Sequence, residues 1–190
     1  MFDIKIACTE SQLLEAGKLV YEQYSSNSLI SENPSAIYIS PWMKIPESRV
    51  ILAYKDGKLI YTATIVPDGK FGLPSDIDFP EHLNFLRTQH EKLCEVTGLA
   101  GRYVSFKLFI RFCGVLHNHI VDIGATPILV CHPKHEDYYR NIWGFRRVAF
   151  KDKILRAQNN PGSLMIQDSK NVPEVGIRIA KEMQQVLSNS

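Results

Sequence analysis

Val50-Ile51-Leu52-Ala53-Tyr54-Lys55-Asp56-Gly57-Lys58-Leu59-Ile60-Tyr61-Thr62-Ala63-Thr64-Ile65-Val66 decides how this chain must be read. Two apolar, β-branched runs flank Asp56-Gly57, the dipeptide that suits a tight turn whose two central residues both need positive φ. The stretch predicts a β-hairpin, Val50–Lys55 paired with Leu59–Val66. Pro67-Asp68-Gly69 ends the second strand.

Outward from the hairpin, the pattern alternates strand with helix. Upstream, residues 2–8 alternate as a strand does. Thr9-Glu10-Ser11-Gln12 then has the form of a capping box. Leu13, Ala16, Val20 and Tyr24 follow at helical spacing, and Ser25–Pro34 reads as a loop. Pro41 and Pro46 argue against a long helix over 35–45.

Downstream, residues 70–80 predict a structured loop, and Pro80 opens a short helix to about Gln89. Leu93–Ala100 is the next strand, Tyr103–Ile120 a long helix, and Thr126–Cys131 an apolar strand of the kind buried on both faces. A helix from Pro133 to the Trp143-Gly144-Phe145 turn, strands near 145–151 and 162–167, and a C-terminal helix over 173–187 complete the order. A hairpin followed by strand–helix units implies an α/β chain, a mixed sheet with helices on both faces. No composition shift marks a boundary, so residues 1–190 are expected to form one domain.

Composition narrows the classes of function. The 190 residues are 45% hydrophobic and 22% charged, ordinary for a folded chain. Lys and Arg total 22 against 20 Asp and Glu, a net charge of +2. That balance gives no electrostatic case for nucleic acid. No run approaches the ~20 apolar residues of a membrane span. Residues 1–8 carry Asp3 and Lys5 where a signal peptide would be apolar. The four cysteines (Cys8, Cys94, Cys113, Cys131) form no Cys-x-x-Cys pair. Neither a zinc site nor a disulfide framework is expected, and a reducing cytoplasm fits. Cys131, His132 and His135 lack a fourth ligand at suitable spacing, so no metal is expected. His117 and His119, two apart on a helix, do not share a face.

Three ordered segments carry a resemblance. The first is Asp56–Asp68. The second is Phe71-Gly72-Leu73-Pro74-Ser75-Asp76 with Phe79-Pro80-Glu81, followed by Leu93-Cys94-Glu95-Val96-Thr97-Gly98-Leu99-Ala100. The third is Cys131-His132-Pro133-Lys134-His135 with Tyr138-Tyr139-Arg140 and Gly144-Phe145. In order and spacing the chain resembles the N-acyl amino acid synthases, relatives of the acyl-homoserine-lactone synthases, over residues 2 to 150. The resemblance implies a GNAT-like acyltransferase fold. It also implies transfer of a fatty acyl group from acyl carrier protein to the amine of an amino acid, with Glu95–Ala100 as the reaction strand. Three departures stand out: Gly98 where family members commonly carry Arg, which removes an acid–arginine pair; His132 where Asn is frequent; and one residue more between the tyrosine and Gly144 than many GNAT proteins have.

Aminolysis of a thioester needs a neutral, positioned amine, a donor for the developing oxyanion and a proton for the leaving thiolate. Glu95 is the candidate base. Alternation sets Glu95 and Thr97 on one face of the strand and Cys94 and Val96 on the other. Gly98 lets the strand bulge. Tyr138 and Tyr139 are acid candidates, Tyr139 preferred. For the acyl donor the residues are Leu99, Gly101, Arg102, Tyr103, Val104, Lys107 and Arg111. A single glycine makes this turn a poor pyrophosphate cradle, which favours the one phosphate of a carrier arm over coenzyme A. Lys107 and Arg111 suit an acidic carrier protein. No permanently bound cofactor is expected, only acyl-phosphopantetheine or acyl-CoA as co-substrate. Phe106, Phe109, Phe112 and Val115 read first as core, and as the border of an acyl channel second. Two alternatives remain: a CoA-dependent GNAT N-acetyltransferase, and a non-catalytic module that binds an acyl carrier.

Overall fold

The Asp56-Gly57 turn forms as its chemistry requires, with φ of 50° and 78° at its two central residues. It joins β2 (Arg49–Lys55) to β3 (Lys58–Pro67) in the register Lys55↔Lys58. A computed structural model describes residues 2–102, 104–167 and 171–188 of the chain. Around the hairpin it builds one seven-stranded sheet in the order β1-β2-β3-β4-β5-β7-β6. The other strands are β1 (Phe2–Ile6), β4 (Leu93–Gly101), β5 (Thr126–Cys131), β6 (Phe145–Ile154) and β7 (Asn160–Gln167). Every neighbouring pair is antiparallel except β4 and β5. A parallel pair needs a crossover, which α3 (Phe106–Ile123) supplies.

Alternation along β2 shows how the two faces are covered. Val50 and Leu52 pack with Ala16, Leu19 and Val20 of α1 (Glu10–Ser26). Ile51 and Ala53 pack with Phe112, Val115 and Leu116 of α3. Further along the sheet, α2 (Pro80–Gln89) shares the face of α1, its Leu83 and Leu86 against Val66, Leu93 and Ile128. On the opposite face Trp143, at the end of α4 (Glu136–Trp143), packs on Leu129, Phe145 and Met165. The last helix, α5 (Glu174–Ser188), lies over α3, with Ile179 and Met183 against Gly114. Covered on both sides, β3 is buried at eight consecutive positions.

Most sequence expectations hold to within a few residues. The Thr9–Gln12 capping box is formed in both directions. Pro80–Gln89 and Thr126–Cys131 have the expected bounds. One differs: α3 begins at Phe106, not at Tyr103. Gly101 is still paired with Tyr61, and Arg102 N–H still donates to the Ile60 carbonyl, so sheet pairing holds the chain extended. Ser105, also extended, is the helix cap. Tyr103 itself lies outside the described residues.

Thr9 supplies an acceptor to a helix end whose first N–H groups lack intrahelical partners. Thr9→Ala is expected to lower stability by about 1 kcal/mol, measured as a shift of the urea midpoint at unchanged slope.

Candidate functional site

Sequence alternation puts Glu95 on the α1/α2 face of β4, since its neighbour Cys94 packs in the α3 cluster. There it is 1% exposed. A carboxylate removed from water needs partners for its charge. Glu95 Oε2 accepts the Ser75 backbone N–H at 2.7 Å, and Oε1 accepts Nη1 of Arg156 at 2.8 Å. The same guanidinium donates Nη2 to Ser75 Oγ at 3.0 Å and sets Nε 3.0 Å from Asp78 Oδ2. Gly98 leaves no arginine at that position, and Glu95 is paired with an arginine from elsewhere in the chain. That arginine comes from the turn between β6 and β7, 61 positions away in sequence. No local motif marks Arg156; the only signal is that a buried glutamate requires a cation.

Gly98 has φ of 61°, and Gly98 and Leu99 together stand opposite the single residue Ala63. The expected bulge is real. A Cβ at Gly98 would meet nothing closer than Thr64 Oγ1 at 3.7 Å, so conformation, not space, demands glycine here. Just before the bulge the sheet opens. Pairing of β4 with β5 stops at Val96↔Leu129, although β4 continues to Gly101 and β5 to Cys131.

A cavity of about 830 Å³ occupies the gap and draws its walls from both faces of the sheet. On the α3/α4 face it is largely apolar, bounded by Phe109, Cys113, Leu116, Ile120, Leu129 and Trp143, with His117 of α3 among them. On the α1 face it meets Tyr24, Tyr38, Ser40, Thr97, Glu95 and Arg156. Glu95 and Thr97 thus lie together on this wall.

Tyr138 and Tyr139 also line the cavity. The Tyr138 hydroxyl accepts from Trp143 Nε1 and donates to Cys113 Sγ. Tyr139 packs edge-on against Tyr138 and Phe145 and makes no side-chain hydrogen bond among the described residues. Burial first, then the neighbouring Cys113, drives its phenol well above the ordinary range, so its proton stays on oxygen.

The donor residues divide. Leu99 and Gly101 line the cavity. Gly101 is required by packing, since a Cβ there would collide with the Tyr61 ring. Arg102 has partners within the fold: its guanidinium pairs with Glu22 and donates to the Leu59 carbonyl. Both partners of that ion pair are about half exposed, so it is a surface pair. Val104 and Lys107 are exposed and Arg111 is half-buried; neither cation forms an ion pair among the described residues. Of the four α3 candidates for a channel border, Phe106 and Phe109 touch the cavity, whereas Phe112 and Val115 are fully buried core.

Cys113 and Cys131 on the walls, and Cys94 beside Glu95, are pushed up to about 12, chiefly by burial. At neutral pH these thiols are protonated and poor nucleophiles. Among the described residues no group of His, Cys, Asp and Glu could hold a metal ion. None of the helices there is long and apolar enough to cross a membrane.

The seven-stranded mixed sheet with helices on both faces is a GNAT-like acyltransferase fold, and solved structures match it. One is FeeM, an N-acyl amino acid synthase from uncultured soil microbes, at TM-score 0.80 and 18% identity, covering 93% of this chain and 98% of that one. The acyl-homoserine-lactone synthase LasI aligns at TM-score 0.67 and 15% identity, over 90% of this chain and 92% of its own. The CoA-dependent acyl-homoserine lactone synthase BjaI aligns at TM-score 0.66 and 11% identity, over 90% and 82%. A comparison with curated proteins finds no match. The family model of the N-acyl amino acid synthase FeeM matches residues 15–168. The chain belongs to that family and is an acyltransferase by class.

Gly98→Ala is expected to cost about 1 kcal/mol of stability, because the new Cβ must occupy the left-handed region. A chemical denaturation curve checks this; an unchanged midpoint would place the bulge elsewhere.

Proposed function

We propose that this chain transfers a long-chain fatty acyl group from the phosphopantetheine thioester of an acyl carrier protein to the amine of an amino acid. The observation that carries the reading is the two-sided cavity, largely apolar on one face of the sheet and carrying a buried carboxylate on the other. Its size is near the upper end for small-molecule sites, far more than an acetyl group fills. The thioester would enter where β4 and β5 part, with the acyl chain among Phe109, Leu116 and Leu129. The amine would approach from the Tyr24 and Tyr38 side, beside Glu95.

The chemistry then follows from positions. Glu95 accepts a proton from the incoming amine, the nitrogen attacks the carbonyl carbon, and the C–S bond breaks as the C–N bond forms. Peptide N–H groups at the Gly98–Leu99 bulge are the candidate donors to the oxyanion. Tyr139, with its proton retained, is the candidate hydrogen-bond donor to the departing thiolate, which takes up the proton released from the amine.

The preference for a carrier protein rests on the single glycine of the Gly101 turn, which leaves little to grip a nucleotide pyrophosphate. Lys107 and Arg111 would face an acidic carrier. One observation favours coenzyme A instead: BjaI, which shares the fold, is CoA-dependent.

The test offers purified protein acyl carrier thioesters and acyl-CoAs, from acetyl to palmitoyl, with each amino acid, and reads products by mass spectrometry. N-acyl amino acids from long-chain carrier thioesters are expected. Product from acyl-CoA alone would move the donor to coenzyme A, and no N-acyl product with any pair would overturn the reading. Glu95→Gln is expected to lower kcat by about 10²-fold or more with little change in KM for the donor. Lys107→Glu with Arg111→Glu is expected to raise KM for the carrier several-fold at unchanged kcat.

A further inference from the structure

Glu95 does not face one charge but two. Asp78, 3% exposed, sits on the far side of the same guanidinium. Its Oδ1 accepts the Leu155 N–H at 2.7 Å, which ties it to the turn carrying Arg156. Its Oδ2 lies 3.0 Å from Arg156 Nε but off the line of that N–H, and no hydrogen bond reaches it. Two buried carboxylates therefore share one arginine.

The sharing matters for a base. A buried glutamate paired one-to-one with an arginine resists protonation, because its proton would leave the guanidinium as a lone buried cation. With Asp78 in place, protonating Glu95 leaves the balanced pair Asp78–Arg156. We propose that Asp78 is a positioning residue: by holding the Arg156 guanidinium, it lets Glu95 take up the acceptor's proton without stranding a buried charge. This deepens the reading of Glu95 as the base and rests on it.

The other groups around Glu95 do not supply this role. Tyr24, from α1, feels Glu95 but is held up to about 12, by burial before any charge. Tyr38 acts on Tyr24 from the segment before β2. Cys94 on β4 is likewise pushed up to about 12 and stays neutral. The strand partners of Glu95, Val66 on β3 and Ile128 on β5, are apolar. The 73–78 segment contributes only Ser75 and Asp78 to the cluster.

The test is a pair of variants with opposite signs. Removing the negative charge (Asp78→Asn) leaves Arg156 wholly to Glu95 and favours its ionised form. Removing the positive charge (Arg156→Met) leaves Glu95 facing Asp78 and favours its protonated form. Glu95 is followed directly by carbon NMR of side-chain carboxyl-labelled glutamate, assigned by loss of its signal in Glu95→Gln. The acid limb of the kcat profile is recorded in parallel.

Asp78→Asn is expected to move the Glu95 midpoint down by about one pH unit or more, and Arg156→Met to move it up by a similar amount. Asp78→Glu is expected to restore the wild-type position. Melting curves establish that each variant is folded; if Asp78→Asn is not, Asp78→Glu and Arg156→Met carry the comparison. Shifts in the same direction, or none, would overturn the proposal. Opposite shifts in a protein that yields no N-acyl product would support the charge coupling while refuting the acyl-transfer reading.

Discussion

A charged carboxylate in the middle of a sheet is the constraint around which this molecule is organised. Left alone, Glu95 would carry the cost of an uncompensated buried ion, about 3–5 kcal/mol. Arg156, Asp78 and Ser75 are what the fold brings to meet that demand. They come from two connections distant in sequence, the segment before α2 and the turn after β6. Holding Glu95 thus also fixes how those connections cross the sheet.

The second requirement is an opening. Glu95 itself lies in the paired part of β4 and β5, opposite Ile128. Just beyond it β4 and β5 separate after Val96 and Leu129, the Gly98 bulge turns the strand, and a cavity forms between the two faces of the sheet. The same few residues therefore determine where the acid sits, where the sheet fails and where the cavity opens. The interior thiols and phenols along the walls stay protonated, which leaves Glu95 with Arg156 and Asp78 as the ionic chemistry of the α1 side.

Local physics made much of this legible. The Asp56-Gly57 turn, the Thr9 capping box, Pro80 at a helix start and the apolar run of β5 are each decided by neighbouring residues, and each formed where the sequence placed it. Glu95, Thr97 and Gly98 were legible as a face and a bulge for the same reason. What failed was long-range. Arg156 lies between Leu155 and Ala157 in a turn whose local sequence gives no hint of a buried partner. The surface pair of Arg102 with Glu22 was not legible because Glu22 is on α1. The start of α3 was misread because pairing of Gly101 and Arg102 with β3 outweighs the helical preference of the residues after them.

The most direct test is a co-crystal structure with a non-reactive thioether analogue of a long-chain acyl-phosphopantetheine. The account predicts that the acyl chain lies between β4 and β5 among Phe109, Leu116 and Leu129, with the carbon that stands for the carbonyl beside Gly98 and within one water of Glu95. A chain bound outside the sheet, with the gap at Val96 and Leu129 closed and Glu95 sealed away from it, would contradict it.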